Sequence, residues 1–303
     1  MPYGVSTKQF LRDLQHEIGE DNVYNGAAAL GFYFTLAIFP ALIFLMSLIP
    51  YLPIERVDQA VMDLLRQSMP PEAAEMLSGV VTEVTTERRG GLLSFGALAT
   101  LWATSSGMYG LMQQLNITYG VKEARSFIRA RMVALLLSIA FIVLVIGGFS
   151  LIVLGGIIQD WMVDTLGFGT VITTLFSVLR WVLIVAGLLL AFALIYRYAP
   201  NVQQRFRFIT PGSIIGGLLL VLASAGFALY TTNFADYNAT YGSIGAVIIL
   251  MLWLYIAGLV ILLGSEINVV LERYAPSGKN KGERKPHGSA FGREPGWRWS
   301  RSD

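Results

Sequence analysis

Arg180 and Glu266 stand inside long apolar stretches that hold few or no other charged residues. They are the two positions whose chemistry is hardest to explain as packing. A charge surrounded by hydrocarbon is costly, so it faces an interior path, pairs with a partner, or binds something of opposite charge. Glu266, with Asn268 close by, could bind or relay a cation or a proton. Arg180 could hold an anionic group or reach outward to Asp236. At helical rise Arg180 lies about 15 Å into its stretch, and Glu266 about 35 Å along its own, counted from the same side. The difference of about 20 Å argues against a direct pair between them. Arg197 matches Glu266 in depth, so a Glu266–Arg197 ion pair is the structural alternative to a transport role.

Other chemistries lack their residues. The chain has no cysteine, which excludes disulfides, thiolate zinc sites, iron–sulfur clusters and thiol catalysis. Its two histidines, His16 and His287, lie near opposite ends. There is no Walker A motif, dinucleotide glycine motif, nucleophile elbow or HExxH pair. Enzymatic activity, a cofactor and a metal centre are therefore not expected.

The elements that must position these residues follow from composition. Of 303 residues, 54% are hydrophobic and 14% charged, against about 25% charged in a soluble domain. Mean hydropathy is +0.59. Residues 22–54, 90–121, 132–159, 208–235 and 237–265 contain no Asp, Glu, Lys or Arg, and 165–196 contains only Arg180. Each run can cross a hydrocarbon core about 30 Å thick as a helix. A soluble fold and a β-barrel are excluded, because a barrel shows weak alternation in runs of about ten residues. The fold class is an all-α membrane bundle of six spans: Ala27–Ile49, Gly91–Leu115, Met132–Ile158, Thr170–Tyr196, Pro211–Thr232 and Ser243–Val270. Residues 1–26 precede this domain (27–270), and 271–303 follow it.

Charge sets the expected orientation. Seventeen of the 22 Lys and Arg fall on the side of the termini, four in the first loop of the other side, and Arg180 within a span. The positive-inside rule puts both termini in the cytoplasm. No cleavable signal peptide is expected, since Lys8, Arg12, Asp13, Glu17, Glu20 and Asp21 crowd the first segment.

Phe10, Leu11, Leu14 and Ile18 predict a short amphipathic helix, with Ser6 and Gln9 as a capping box. It could lie on the membrane surface or pack on the inner mouth of the bundle. Within residues 51–90, two amphipathic patterns flank Pro70-Pro71 and predict an acidic external hairpin. Such a hairpin suits a solvated face, a lid or a cation-collecting vestibule. The tail from Ser277 is basic and rich in Gly, Pro and Ser, and is expected to be disordered and to touch anionic lipid rather than nucleic acid. Pro40 predicts a kink near Leu36 and is a candidate gate. Small residues at Ala99, Ala103 and Gly107, at Ser106 and Gly110, and at Gly212/Gly216 and Ser213/Gly217 predict close helix contacts, within one chain or in a homo-oligomer. The run Thr104-Ser105-Ser106 could line a cavity instead. Asn238-Ala-Thr240 fits a glycosylation sequon, which matters only in a eukaryotic secretory route.

Four blocks occur together in order. They are Ala27 to Pro40; Leu101-Trp-Ala-Thr-Ser-Ser-Gly107 with Asn116-Ile-Thr-Tyr119; Tyr196-Arg-Tyr-Ala-Pro200; and Tyr241-Gly-Ser-Ile-Gly245 running through Trp253-Leu-Tyr255 to Leu263-Gly-Ser-Glu-Ile-Asn268. In this order the chain resembles the YihY/BrkB (UPF0761-like) family of bacterial inner-membrane proteins over about residues 5–272. The resemblance implies a six-span inner-membrane protein. Virulence or serum-resistance and ion-antiport roles have been attached to some members. A ribonuclease BN label has also been used for the family, but this chain lacks the His and Asp cluster that a metal-dependent nuclease needs.

Two functions follow as expectations. One is a transporter or channel-like protein for an ion, lipid or small solute, resting on Pro40, Arg180, Glu266 and the polar stretches. The other is an envelope-organising or lipid- and partner-binding membrane protein, resting on the external hairpin and the scarcity of buried charge. Membrane lipids are the expected partner in either case. No inverted repeat relates the two halves, since the long first external loop has no counterpart in the second.

Overall fold

The computed structural model describes residues 5–48, 90–165, 169–203, 208–233 and 243–275, together with Gly282. These residues form seven helices: α1 (Thr7–Glu20), α2 (Val23–Leu48), α3 (Gly90–Thr118), α4 (Phe127–Asp164), α5 (Thr170–Tyr198), α6 (Pro211–Asn233) and α7 (Ser243–Tyr274). Four of them, α4 to α7, are long and apolar enough to cross a membrane, by length and composition. The other two expected spans are also helical, as α2 and α3. The external hairpin, the Asp236 loop and nearly all of the tail lie outside the described residues.

Local chemistry explains where the helices begin. The Ser6 hydroxyl accepts from the Gln9 amide at 3.2 Å, and the Ser126 hydroxyl from the Arg129 amide at 3.4 Å. Pro211 opens α6, where its missing N–H costs nothing. Around it, Thr210 and Ser213 cap each other: the Ser213 amide donates to the Thr210 hydroxyl, and the Thr210 amide to the Ser213 hydroxyl. Pro40 lies within α2, which continues through it to Leu48.

The packed helices form a closed order, α2–α3–α4–α5–α6–α7 and back to α2, with α1 against α7. The main core lies at the end of the bundle shared by the start of α2 and the finish of α3. Ala27 and Leu30 of α2, Leu111, Met112 and Leu115 of α3, and Leu262 of α7 are all buried there. Elsewhere the helices present apolar side chains outward, such as Phe95, Val171, Leu175 and Leu229. Outward Leu, Val and Phe on long helices match a lipid surround.

Small residues allow the closest approaches. A Cβ on Gly31 of α2 would lie 3.1 Å from the Tyr255 backbone nitrogen of α7. Gly107 and Gly110 of α3 face the rings of Phe34 and Tyr33 on α2. Gly212 of α6 meets the Gly264 carbonyl of α7, and a Cβ on Gly264 would lie 2.8 Å from the Gly212 oxygen. The small-residue faces at Gly107, Gly110 and Gly212 thus pack within one chain.

The run Thr104-Ser105-Ser106 is absorbed by helix bonding. The Thr104 hydroxyl donates to the Thr100 carbonyl at 2.7 Å, and Ser105 and Ser106 both donate to Trp102. The Ser138 hydroxyl of α4 crosses to the Thr104 carbonyl at 3.2 Å. The Ser138 bond joins α3 to α4.

Gly264→Ala should lower stability by about 1–3 kcal/mol through overpacking against α6 and Tyr196. Gly147→Ala, where a Cβ meets nothing within 4 Å, should not destabilise. Thermal unfolding of both variants in detergent checks this.

Candidate functional site

The face of α1 that meets α7 begins apolar and ends acidic. Phe10, Leu14, Glu17 and Asp21 follow helical spacing. Phe10 and Leu14 pack with Ile267, Val270 and Tyr274 of α7. The amphipathic α1 therefore sits against the bundle, and Leu11 is 56% exposed rather than part of the packed stripe. One or two turns further, Glu17 is 4% exposed, Asp21 9% and Glu266 0%. One carboxylate oxygen from each of these three residues lies within 4.8 Å of the others. On the same face of α7, Arg273 Nη2 lies 2.8 Å from Glu17 Oε1. The Tyr274 hydroxyl donates to Asp13 and closes the outer edge of the joint.

Ionised together, the three carboxylates carry three negative charges, and Arg273 meets one of them, Glu17. Each like pair costs roughly 3–4 kcal/mol at an effective dielectric of about 20. Carboxylate oxygens are the ligand type of a hard cation. Of the three, sequence reasoning singled out Glu266 alone. The missed signal was the i, i+4 spacing of Glu17 and Asp21 along the apolar stripe of α1.

Arg197 is not brought to Glu266. Its guanidinium carbon lies 5.4 Å over the Tyr198 ring. Tyr196 occupies the face toward α7, donating from its hydroxyl to the Ile261 carbonyl at 2.9 Å. Arg197, one residue later, is turned by about 100° from it. Asn268 is also engaged elsewhere, its Oδ1 accepting from the Gly212 amide of α6 at 2.8 Å. Arg180 lies across Gly155 and Gly156 of α4, with its Nε buried and without a hydrogen-bond partner among the described residues. Asp236, its expected partner, is outside the described residues. Pro40 is far along α2 from the carboxylates, on the other side of the core.

A second polar joint ties α3 to α5. Asn116, 2% exposed, accepts from the Asn201 amide at 2.7 Å and donates to Glu123 Oε2 at 3.2 Å. Arg125 donates to Glu123 Oε1 and, through its two terminal nitrogens, to the Tyr198 and Ala199 carbonyls at 3.1 and 2.6 Å. It thereby caps the end of α5, where carbonyls are left over. Burial alone pushes the Glu123 carboxyl up. The bonds from the Arg125 side chain and amide, its charge, and the Asn116 amide outweigh that and hold it below the ordinary 4.5.

The joint gathers residues from two separate sequence blocks, 116–119 and 196–200, and the carboxylate trio uses a third, 263–268. The family model for virulence factor BrkB matches residues 14–288. The chain belongs to the BrkB family. YfkH of Bacillus subtilis (strain 168), which carries a ribonuclease-like name, is 35% identical over 264 residues, covering 87% of this chain and 95% of that protein. A UPF0761 membrane protein of Vibrio vulnificus (strain YJ016) is 26% identical over 267 residues, covering 86% and 82%. No solved structure matches this BrkB-family chain.

Because folding lowers the Glu123 carboxyl, its contribution is fully present above the ordinary carboxylate range. It is lost as pH falls through the lowered folded value. Glu123→Gln should melt below the unmodified protein at about pH 7, and the two should converge in acid. Thermal melts across this range check it.

Proposed function

We propose that this BrkB-family membrane protein crosses the bacterial inner membrane six times with both termini in the cytoplasm, and that it moves an ion, lipid or small solute without enzymatic activity. The observation that carries the reading is the buried set Glu17, Asp21 and Glu266, with Arg273 paired to Glu17. Three carboxylates at the foot of the last span form a charge centre that protons or cations can switch. The set lies between α1 and α7, so a change in its charge bears directly on how α1 sits over the bundle. The six-span arrangement is supported by the helices covering every long uncharged run, and by the excess of Lys and Arg on the side of the termini.

In proteoliposomes with an imposed proton or sodium gradient, the unmodified chain should carry flux. Glu266→Gln, which keeps the shape and removes the charge, should bring it to the level of empty vesicles while the protein still folds. Undiminished flux in that variant would overturn the role given to Glu266. Orientation has its own check, made clean by the absence of native cysteine. Lys8→Cys should react with an impermeant maleimide only after cells are opened, and Gly169→Cys should react in intact cells.

A further inference from the structure

The two sides of the bundle end at which α1 docks carry opposite charge. The α1–α7 side holds the buried carboxylates. The junction of α3, α4 and α5 holds Lys122, Arg125, Arg129, Arg131 and Arg197 against Glu123. Arg125 and Glu123 bond to each other, as described above. Arg131 is held in place by an aromatic cage. Its guanidinium carbon lies 4.7 Å over Trp102, 5.3 Å over Tyr109 and 5.7 Å over Phe127, and Nη1 donates to the Ser106 hydroxyl at 3.0 Å. Cation–π contacts of this kind keep a guanidinium at a fixed place beside hydrocarbon.

Arg129 differs from both. Its side chain is exposed and makes no hydrogen bond or ion pair among the described residues. It borders an open cavity of about 460 Å³, lined also by Ala124, Arg125, Ser126 and Asn201. Directly beside it, the first turns of α4 present a continuous apolar strip. Ile128 is 75% exposed, Met132 52% and Leu136 61%. Helical spacing places these three on one face, between Arg131 on one flank and Arg129 on the other. An apolar strip ending at a basic cavity matches a molecule with an acyl chain and an anionic head.

We propose that this surface, at the start of α4, binds one anionic phospholipid of the adjoining leaflet. The phosphate sits at the cavity beside Arg129, and an acyl chain lies along Ile128, Met132 and Leu136. The charge supports a lipid rather than a protein partner. The basic residues lie where a span meets the membrane surface, and the apolar strip runs from them into the hydrocarbon. The site lies on different helices from the Glu17–Asp21–Glu266 set and does not depend on the transport reading.

Native mass spectrometry tests it, with the full chain released from bilayers of equal phosphatidylglycerol and phosphatidylcholine. The unmodified protein should retain the anionic lipid about fivefold over the zwitterionic one, as one well-placed basic residue gives. Arg129→Gln should abolish the preference and Arg129→Lys should keep most of it. Ile128→Glu, at a position with no packing to lose, should abolish it too. Lys8→Gln, on the outer face of α1, should leave it unchanged. Equal retention of both lipids by the unmodified chain would overturn the proposal. So would a preference that survives in both Arg129→Gln and Ile128→Glu, or one lost equally in Lys8→Gln. Displacement of the bound lipid by millimolar inorganic phosphate would also overturn it, marking a site for a soluble anion.

Discussion

The bundle is tied together at one end, by the close contact of α2 with both α3 and α7. Gly31 lets the Tyr255 backbone approach, Gly258 receives Leu30, and Gly110 receives Tyr33. Ala27 and Leu30 are fully buried as a result. In hydrocarbon there is little hydrophobic gain from joining two apolar helices, so close packing has to supply the association. Glycines that admit a neighbouring backbone provide it. Asn116, at the start of one polar joint, directly follows the buried Leu115 of this core.

Two polar joints stand on this packed end, and they differ in kind. The joint of Asn116, Glu123, Arg125 and Asn201 pairs each buried polar group with a partner of matching chemistry. It holds one geometry and fastens α3 to the finish of α5. The joint of Glu17, Asp21, Glu266 and Arg273 brings together groups of like charge. Like charges held this close repel one another when ionised.

Two arginines beside apolar side chains are handled in two further ways. Arg131 is enclosed by Trp102, Tyr109 and Phe127, which stabilise its charge with ring faces. Arg180 rests in the space left by Gly155 and Gly156 of α4. In both cases small or aromatic neighbours make room for the guanidinium among the described residues.

The sequence by itself determined the class, the helices and the family. Charge-free runs long enough to cross a bilayer leave the backbone little alternative to helix, because hydrocarbon offers no other hydrogen-bond partner. Ser6, Ser126 and Pro211 mark helix starts through local bonding, which depends only on neighbouring residues. Glu266 was legible because a lone carboxylate in an apolar run is conspicuous. Its companions were not. Glu17 and Asp21 sit among other charges in a polar segment, and only the docking of α1 turned them inward. Arg197 matches Glu266 in depth by residue count, and its guanidinium lies over the Tyr198 ring. Depth follows from counting residues, whereas facing depends on which helices are neighbours, and that was decided by the tertiary structure.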